Sequence, residues 1–173
     1  MRIVDLFSGA GGLTFGFYYN KENNTIVRNK NCNIIFANEY DRAAAESFRI
    51  NFQDINMINQ DIKELTEEQV KALIGEEEVD LIIGGPPCQS YSTIGRRVYD
   101  DKAKLYNEYY RMLSIIRPRM FLFENVKGML SMKDEKGNLV IDNIKNMFEN
   151  INEELGYNIV YNTIDAVNYG VPQ

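Results

Sequence analysis

Short apolar runs alternate with longer amphipathic stretches along this chain, and that alternation constrains the fold more than any other feature. Ile3-Val4-Asp5-Leu6-Phe7 reads as a buried strand, followed by a short helix from Leu13 to Tyr19 entered through glycines. The polar stretch from Lys21 to Asn33 reads as a surface loop. A second strand covers Asn33 to Asn38, and a helix follows from Asp41 to Phe52 with Asp41 as its N-cap. A short third strand, Ile55 to Ile58, leads to Asp61-Ile62. Thr66-Glu67-Glu68-Gln69 fits a capping box, and Gly75 closes the helix it starts. Val79 to Ile83 is a fourth strand, ending at Gly84-Gly85-Pro86-Pro87, and Ser90 to Lys104 is a long polar loop. Leu105, Tyr109, Met112, Leu113 and Ile116 lie at helical spacing ahead of Pro118, and Met120 to Phe123 is a fifth strand. Ile141, Ile144, Phe148, Ile151 and Leu155 form another helical stripe, stopped by Gly156, and Asn158 to Ile164 is a sixth strand. Strands separated regularly by helices predict a single α/β domain built on a parallel, doubly wound sheet.

Composition narrows the chemistry. The 173 residues are the size of one ordinary domain, and 45% apolar with 25% charged residues fits a packed core rather than disorder. No run approaches the roughly 18 apolar residues of a membrane span. Asp5 stands where a secretory leader would still be apolar. Two cysteines, Cys32 and Cys88, make no disulfide framework, so a reducing cytoplasmic location is expected. The chain has no His, which excludes His-based zinc sites, Ser-His-Asp triads and His general bases. A net charge of -6 and a pI of about 4.8 argue against a surface given over wholly to nucleic acid, without excluding a local basic patch.

Ligands of open α/β sheets bind beyond the carboxyl ends of the strands, so the chemistry is sought there. After the first strand comes Ser8-Gly9-Ala10-Gly11-Gly12, whose glycines permit a tight turn and close approach of a ligand. The spacing is not that of a dinucleotide fingerprint, because Thr14 stands where a third glycine would fall. Glu39, after the second strand, can accept hydrogen bonds from two ribose hydroxyls, and Asp61-Ile62, after the third, can meet an adenine edge. Acidic residues at strand ends are often merely solvated, but three such loops on one edge make a nucleoside-shaped site. After the fourth strand, Pro86 and Pro87 stiffen the approach to Cys88. A thiolate there would be a nucleophile, favoured by backbone N–H groups or by Arg96 and Arg97. Cys32, beside an apolar strand, reads as a buried inert thiol. Glu124, after the fifth strand, reads either as a partly desolvated proton donor near Cys88 or as a solvated or capping carboxylate.

Asp5-Leu6-Phe7-Ser8-Gly9-Ala10-Gly11-Gly12, Asn38-Glu39-Tyr40-Asp41, Gly85-Pro86-Pro87-Cys88-Gln89-Ser90-Tyr91-Ser92 and Glu124-Asn125-Val126 resemble the ordered motifs of the DNA (cytosine-5) methyltransferases. Tyr169-Gly170-Val171-Pro172-Gln173 is similar to the start of a later motif. The resemblance spans the whole chain in the family's order and implies a Rossmann-like, S-adenosylmethionine-dependent enzyme. It places Phe7 against the adenine, and Ser8, Gly9, Gly11, Gly12 and Leu13 around the methionine portion. It gives Glu39 the ribose, Tyr40, Asp61 and Ile62 the adenine, and Pro87 the flank of the cofactor beside Cys88. Cys88 would be the nucleophile toward a flipped-out cytosine and Glu124 the partner of its N3, with Gln89, Ser92, Arg96 and Arg97 meeting double-stranded DNA.

In three places the chain departs from the family pattern, one of them an insertion from Lys21 to Asn31 that is longer than usual. The family's arginines after the Pro-Gln turn, a seventh strand, a returning C-terminal helix and a target recognition domain are absent. An arginine common in the loop is Lys102 here. Residues 1–173 are therefore expected to be a C-terminally incomplete catalytic domain. The leading expectation is a bacterial restriction-modification enzyme. A tRNA cytosine-5 methyltransferase and a silent or split fragment needing a C-terminal partner are the alternatives; Ser90-Tyr91-Ser92 favours the DNA enzymes over the tRNA enzyme.

Overall fold

A computed structural model describes residues 1–87, 105–134, 136–151 and 156–171 of the chain. Its centre is a five-stranded parallel sheet. In chain order the elements are β1 (Arg2–Leu6), α1 (Gly12–Tyr18), β2 (Tyr19–Glu22), β3 (Thr25–Arg28), β4 (Asn33–Asn38) and α2 (Arg42–Asn51). They continue as β5 (Asn56–Ile58), α3 (Glu67–Ile74), β6 (Leu81–Gly84), α4 (Tyr106–Ile116), β7 (Met120–Phe123) and α5 (Val140–Glu149). The sheet order is β5-β4-β1-β6-β7, with every neighbouring pair parallel. Among the described residues this is the doubly wound sheet that the alternating pattern predicts.

Two apolar clusters sandwich the sheet. One packs Val4, Phe36 and Ile82 under α3, α4 and α5; the other packs Ile3, Ile34, Ala37 and Ile83 under α1 and α2. Ile34 and Phe36 are two apart yet lie in opposite clusters. The register explains this: Ile3 faces Ile34 while Val4 faces Phe36, so Ile35 is an extra residue, a bulge that turns the rest of β4 over.

Local signals account for most boundaries. Asp41 caps α2 by accepting from Ala44 N at 2.8 Å. Thr66 and Gln69 form the reciprocal capping box of α3, closed by Gly75. The chain leaves α4 through Arg117 at φ 54, ahead of Pro118.

Three expectations need correction. The supposed loop from Lys21 to Asn33 holds an antiparallel hairpin, β2–β3, turning at Asn23-Asn24 with φ 48 and 62. Two positive φ values make a primed turn that suits paired strands, and Thr25-Ile26-Val27 is the β-branched run that signals it. The last helix ends at Glu149, where the Asn150 side chain donates to Asn146 O at 2.7 Å; Leu155 lies outside the described residues. Asn158 to Ile164 is not a strand. It has no ladder partner among the described residues, and Val160 and Ile164 stand exposed. Its start is docked on β7 by the Tyr157 hydroxyl donating to Pro118 O at 2.6 Å and by its ring against Phe121. No described helix is long and apolar enough to cross a membrane.

Candidate active site

The register sets the strand ends level. Leu6 pairs with Asn38 and with Gly84, Asn38 with Ile58, and Gly84 with Phe123. The residues that follow all emerge on one edge. The chain leaves β1 toward β4 and leaves β6 toward β7, so the crossovers diverge between β1 and β6, where such sheets open a crevice.

The glycine loop after β1 is held in an unusual backbone shape. Phe7, Gly9 and Gly11 all have positive φ, at 55, 56 and 97. For Phe7 this is a sparsely populated conformation that surrounding contacts must enforce. Gly11 could carry no side chain, because an added Cβ would stand 2.3 Å from the Phe52 ring. Gly9 and Gly12 face open space. Ser8 is buried with its N–H on Asn38 O, Phe7 and Leu13 are half-buried, and Ala10 is exposed. An open cavity of about 690 Å³ lies on the α1 flank of this loop, between Gly12, Phe15, Tyr19, Ile26 and Phe52.

Glu39 organises the rim. Its Oε2 accepts Gly9 N–H and its Oε1 accepts Asp41 N–H, both at 2.8 Å. A carboxylate has about four lone-pair sites, so acceptor capacity remains on each oxygen for two hydroxyls. Tyr40 beside it is 74% exposed, a free aromatic face. Asp61 caps a 3₁₀ turn through Lys63 N, and the Ile62 side chain is buried, so Ile62 can offer a ligand only its main chain.

The sequence reading gave several supporting residues no role, although it quoted one of them, Asn38, within a motif. Asn38 Nδ2 donates to Ile58 O and Gln60 O, and Asn59 Nδ2 donates to Glu39 O and Tyr40 O, which lock the second and third loops together. Arg111 from α4 donates to Leu65 O at 2.8 Å and Ile62 O at 2.6 Å. Asn59 and Arg111 belong to no motif, and Asn38 stands inside one that gives it no role, so only the structure reveals their work.

On the other side of the crevice, Asn125 Nδ2 donates to Pro86 O at 3.2 Å, tying the β6 and β7 loops. The Glu124 carboxylate lies over Gly85: an added Cβ there would be 2.7 Å from Oε2. Glu124 is exposed rather than desolvated. Cys88, Gln89, Ser92, Arg96 and Arg97 lie outside the described residues. The edge thus unites the glycine loop, Glu39, Asp61, Pro86-Pro87 and Glu124. The family model for C-5 cytosine-specific DNA methylases matches residues 1–173.

The chain belongs to that family. This C-5 cytosine methylase chain is 41% identical over 175 residues to the Type II methyltransferase M.FnuDI of Fusobacterium nucleatum, covering all of itself and 44% of that protein. It is 37% identical to M.NgoPII of Neisseria gonorrhoeae, again along its whole length and 45% of the relative. A solved structure described as a DNA modification methyltransferase encoded within an E. coli prophage superposes with a TM-score of 0.64 at 31% identity, over 85% of this chain and 37% of that one. The chain spans less than half the length of these relatives.

Proposed function

We propose that this methylase chain is the cofactor-binding and nucleophile-bearing part of an enzyme that methylates C5 of cytosine in DNA, in a bacterial restriction-modification system. The observation that carries the reading is the level strand edge, on which Glu39, the glycine loop, Pro86-Pro87 and Glu124 follow the four successive strands β4, β1, β6 and β7. The family match along the whole chain supports it.

The residues fit S-adenosylmethionine. Glu39 keeps acceptor capacity for the ribose hydroxyls, and Gly9 and Gly12 leave a cradle that a Cβ would fill. Phe7, Ser8, Gly9, Gly11, Gly12 and Leu13 would hold the methionine side and the adenine face, with Tyr40, Asp61, Ile62 and Pro87 around the rest. Bound there, the cofactor supplies an electrophilic methyl group to C5.

Cytosine C5 is by itself a weak nucleophile. The Cys88 thiolate adds to C6, and the electron pair of the C5–C6 bond shifts toward C5 and the ring. Glu124 donates a proton or hydrogen bond to N3, where negative charge would otherwise collect. Once C5 is methylated, a base removes the C5 proton, the C5–C6 double bond reforms and Cys88 leaves. The base must be extruded from the duplex to reach Cys88, with Gln89, Ser92, Arg96 and Arg97 against the DNA.

Isothermal titration tests the cofactor assignment. S-adenosylhomocysteine is expected to bind, and a preference for a nicotinamide dinucleotide would refute the reading. For the nucleophile, Cys88→Ala in the full-length enzyme is expected to abolish transfer of labelled methyl to duplex DNA while cofactor binding stays within a few-fold. Substantial turnover by that variant overturns the role of Cys88.

A further inference from the structure

One buried charge-bearing group takes no part in the chemistry above. Asp5, in β1, is wholly buried, accepts the Thr14 hydroxyl on Oδ2 at 2.6 Å, and has no partner for Oδ1 among the described residues. A buried carboxyl with an orphan oxygen costs stability, and an apolar residue would pack the same place more cheaply. The cost falls at a particular spot. Asp5 precedes the glycine loop and Thr14 follows it, so their hydrogen bond closes the base of the loop. At the rim the same loop is held by Gly9 N–H on Glu39. Between these two ties lie the positive-φ residues Phe7, Gly9 and Gly11.

We propose that Asp5 is a positioning residue for the cofactor, acting through Thr14 to hold the glycine loop in its ligand-receiving shape. The inference rests on the cofactor reading above. Burial, with the nearby Glu39 carboxylate adding to it, raises the Asp5 carboxyl to about 7, while the Thr14 hydrogen bond opposes the rise. Tyr109 of α4 is the other titratable group that feels Asp5, and burial keeps its phenol protonated well above its ordinary range. Asp5 therefore gains or loses its proton near neutrality, and the loop it holds must respond. A cation arriving at the loop favours ionised Asp5 and sends its proton to solvent. Each unit by which the bound cation lowers the carboxyl's pKa is a tenfold gain in affinity as pH rises.

Two measurements test this. Without ligand, the amide resonances of Gly9, Gly11 and Gly12 are expected to shift with a common midpoint near 7, and Asp5→Asn should abolish the shift. Immobile amides in the parent chain, or an unchanged titration in Asp5→Asn, overturn the proposal. With ligand, affinity for S-adenosylmethionine should rise on the order of tenfold from pH 6 to pH 8. It should rise less for S-adenosylhomocysteine, which lacks the sulfonium, and not at all in Asp5→Asn. Thr14→Val should weaken binding at pH 8 and Thr14→Ser should restore it; equal affinity in Thr14→Val overturns the role of Thr14. A chain whose amides titrate through Asp5 but which binds neither ligand refutes the cofactor reading and leaves the coupling between Asp5 and the loop standing.

Discussion

Glu124 shows how little the type of a residue says about its work. Its carboxylate leans over Gly85, two residues before Pro87, and it is open to solvent. If it serves N3 of cytosine, Glu124→Gln in the full-length enzyme should keep the fold and lower the single-turnover rate by roughly 10²–10⁴, the usual yield of general acid help. An unchanged rate would mark it as structural. Asp5 carries an expectation of another kind. Its carboxyl titrates near 7 folded and near 3.8 in its ordinary state, so between those values the folded chain holds the proton more tightly. Stability should fall as pH rises from about 4 to about 7, by at most about 4 kcal/mol, and level off above. Denaturant unfolding of Asp5→Asn should lack that slope; a retained slope would point to a different group. At this scale the sequence was informative where a residue belongs to a motif: Glu39, the glycines, Pro87 and Glu124 all come to the edge. It was silent on Asn59 and Arg111 and on the role of Asn38 within its motif, because a side chain that works by satisfying distant carbonyls leaves no local pattern.

Among the elements, the strands that pair at the sheet centre and the capped helices were legible because local preference and burial agree there. The capping box of Thr66 and the cap of Asp41 stand as read. Where they disagree, the reading failed. The β2–β3 hairpin sits in a polar stretch whose pairing depends on the Asn23-Asn24 turn rather than on apolar alternation. Asn158 to Ile164 has strand composition but pairs with no strand among the described residues. The loop after β1 is the most constrained connection. Gly11 is at φ 97, and a Cβ there meets Phe52 at 2.3 Å, so Gly11→Ala combines left-handed strain with overpacking. It should cost about 2–4 kcal/mol in denaturant unfolding. A loss below 0.5 kcal/mol would show that the loop relaxes freely.

For the whole molecule, the sheet face that α1 and α2 cover over its centre is left bare at β7. Met120 and Leu122 share a face with Leu81 and Ile83, yet they are 54% and 42% exposed, and no described strand pairs the outer edge of β7. An open apolar edge of this kind invites association with another chain. Residues 1–173 by themselves are expected not to methylate duplex DNA. Transfer of labelled methyl should appear only when the remainder of a full-length relative's chain is co-expressed. Sequence-specific methylation by the 173 residues alone would overturn this. The strand order also bears on how the protein is made. β1 leaves the ribosome ahead of the other four described strands of the sheet and is the middle of their order, yet its second neighbour, β6, emerges only after β4 and β5. The β1–β4–β5 half can assemble first, leaving one side of β1 bare while the ribosome adds the residues from Ile58 to Gly84. At ordinary elongation speeds that interval is on the order of one to five seconds. Codon choice over α3 and its flanks therefore sets how long a nascent sheet stays half-built, and slow codons there would lengthen its exposure to chaperones and to neighbouring nascent chains.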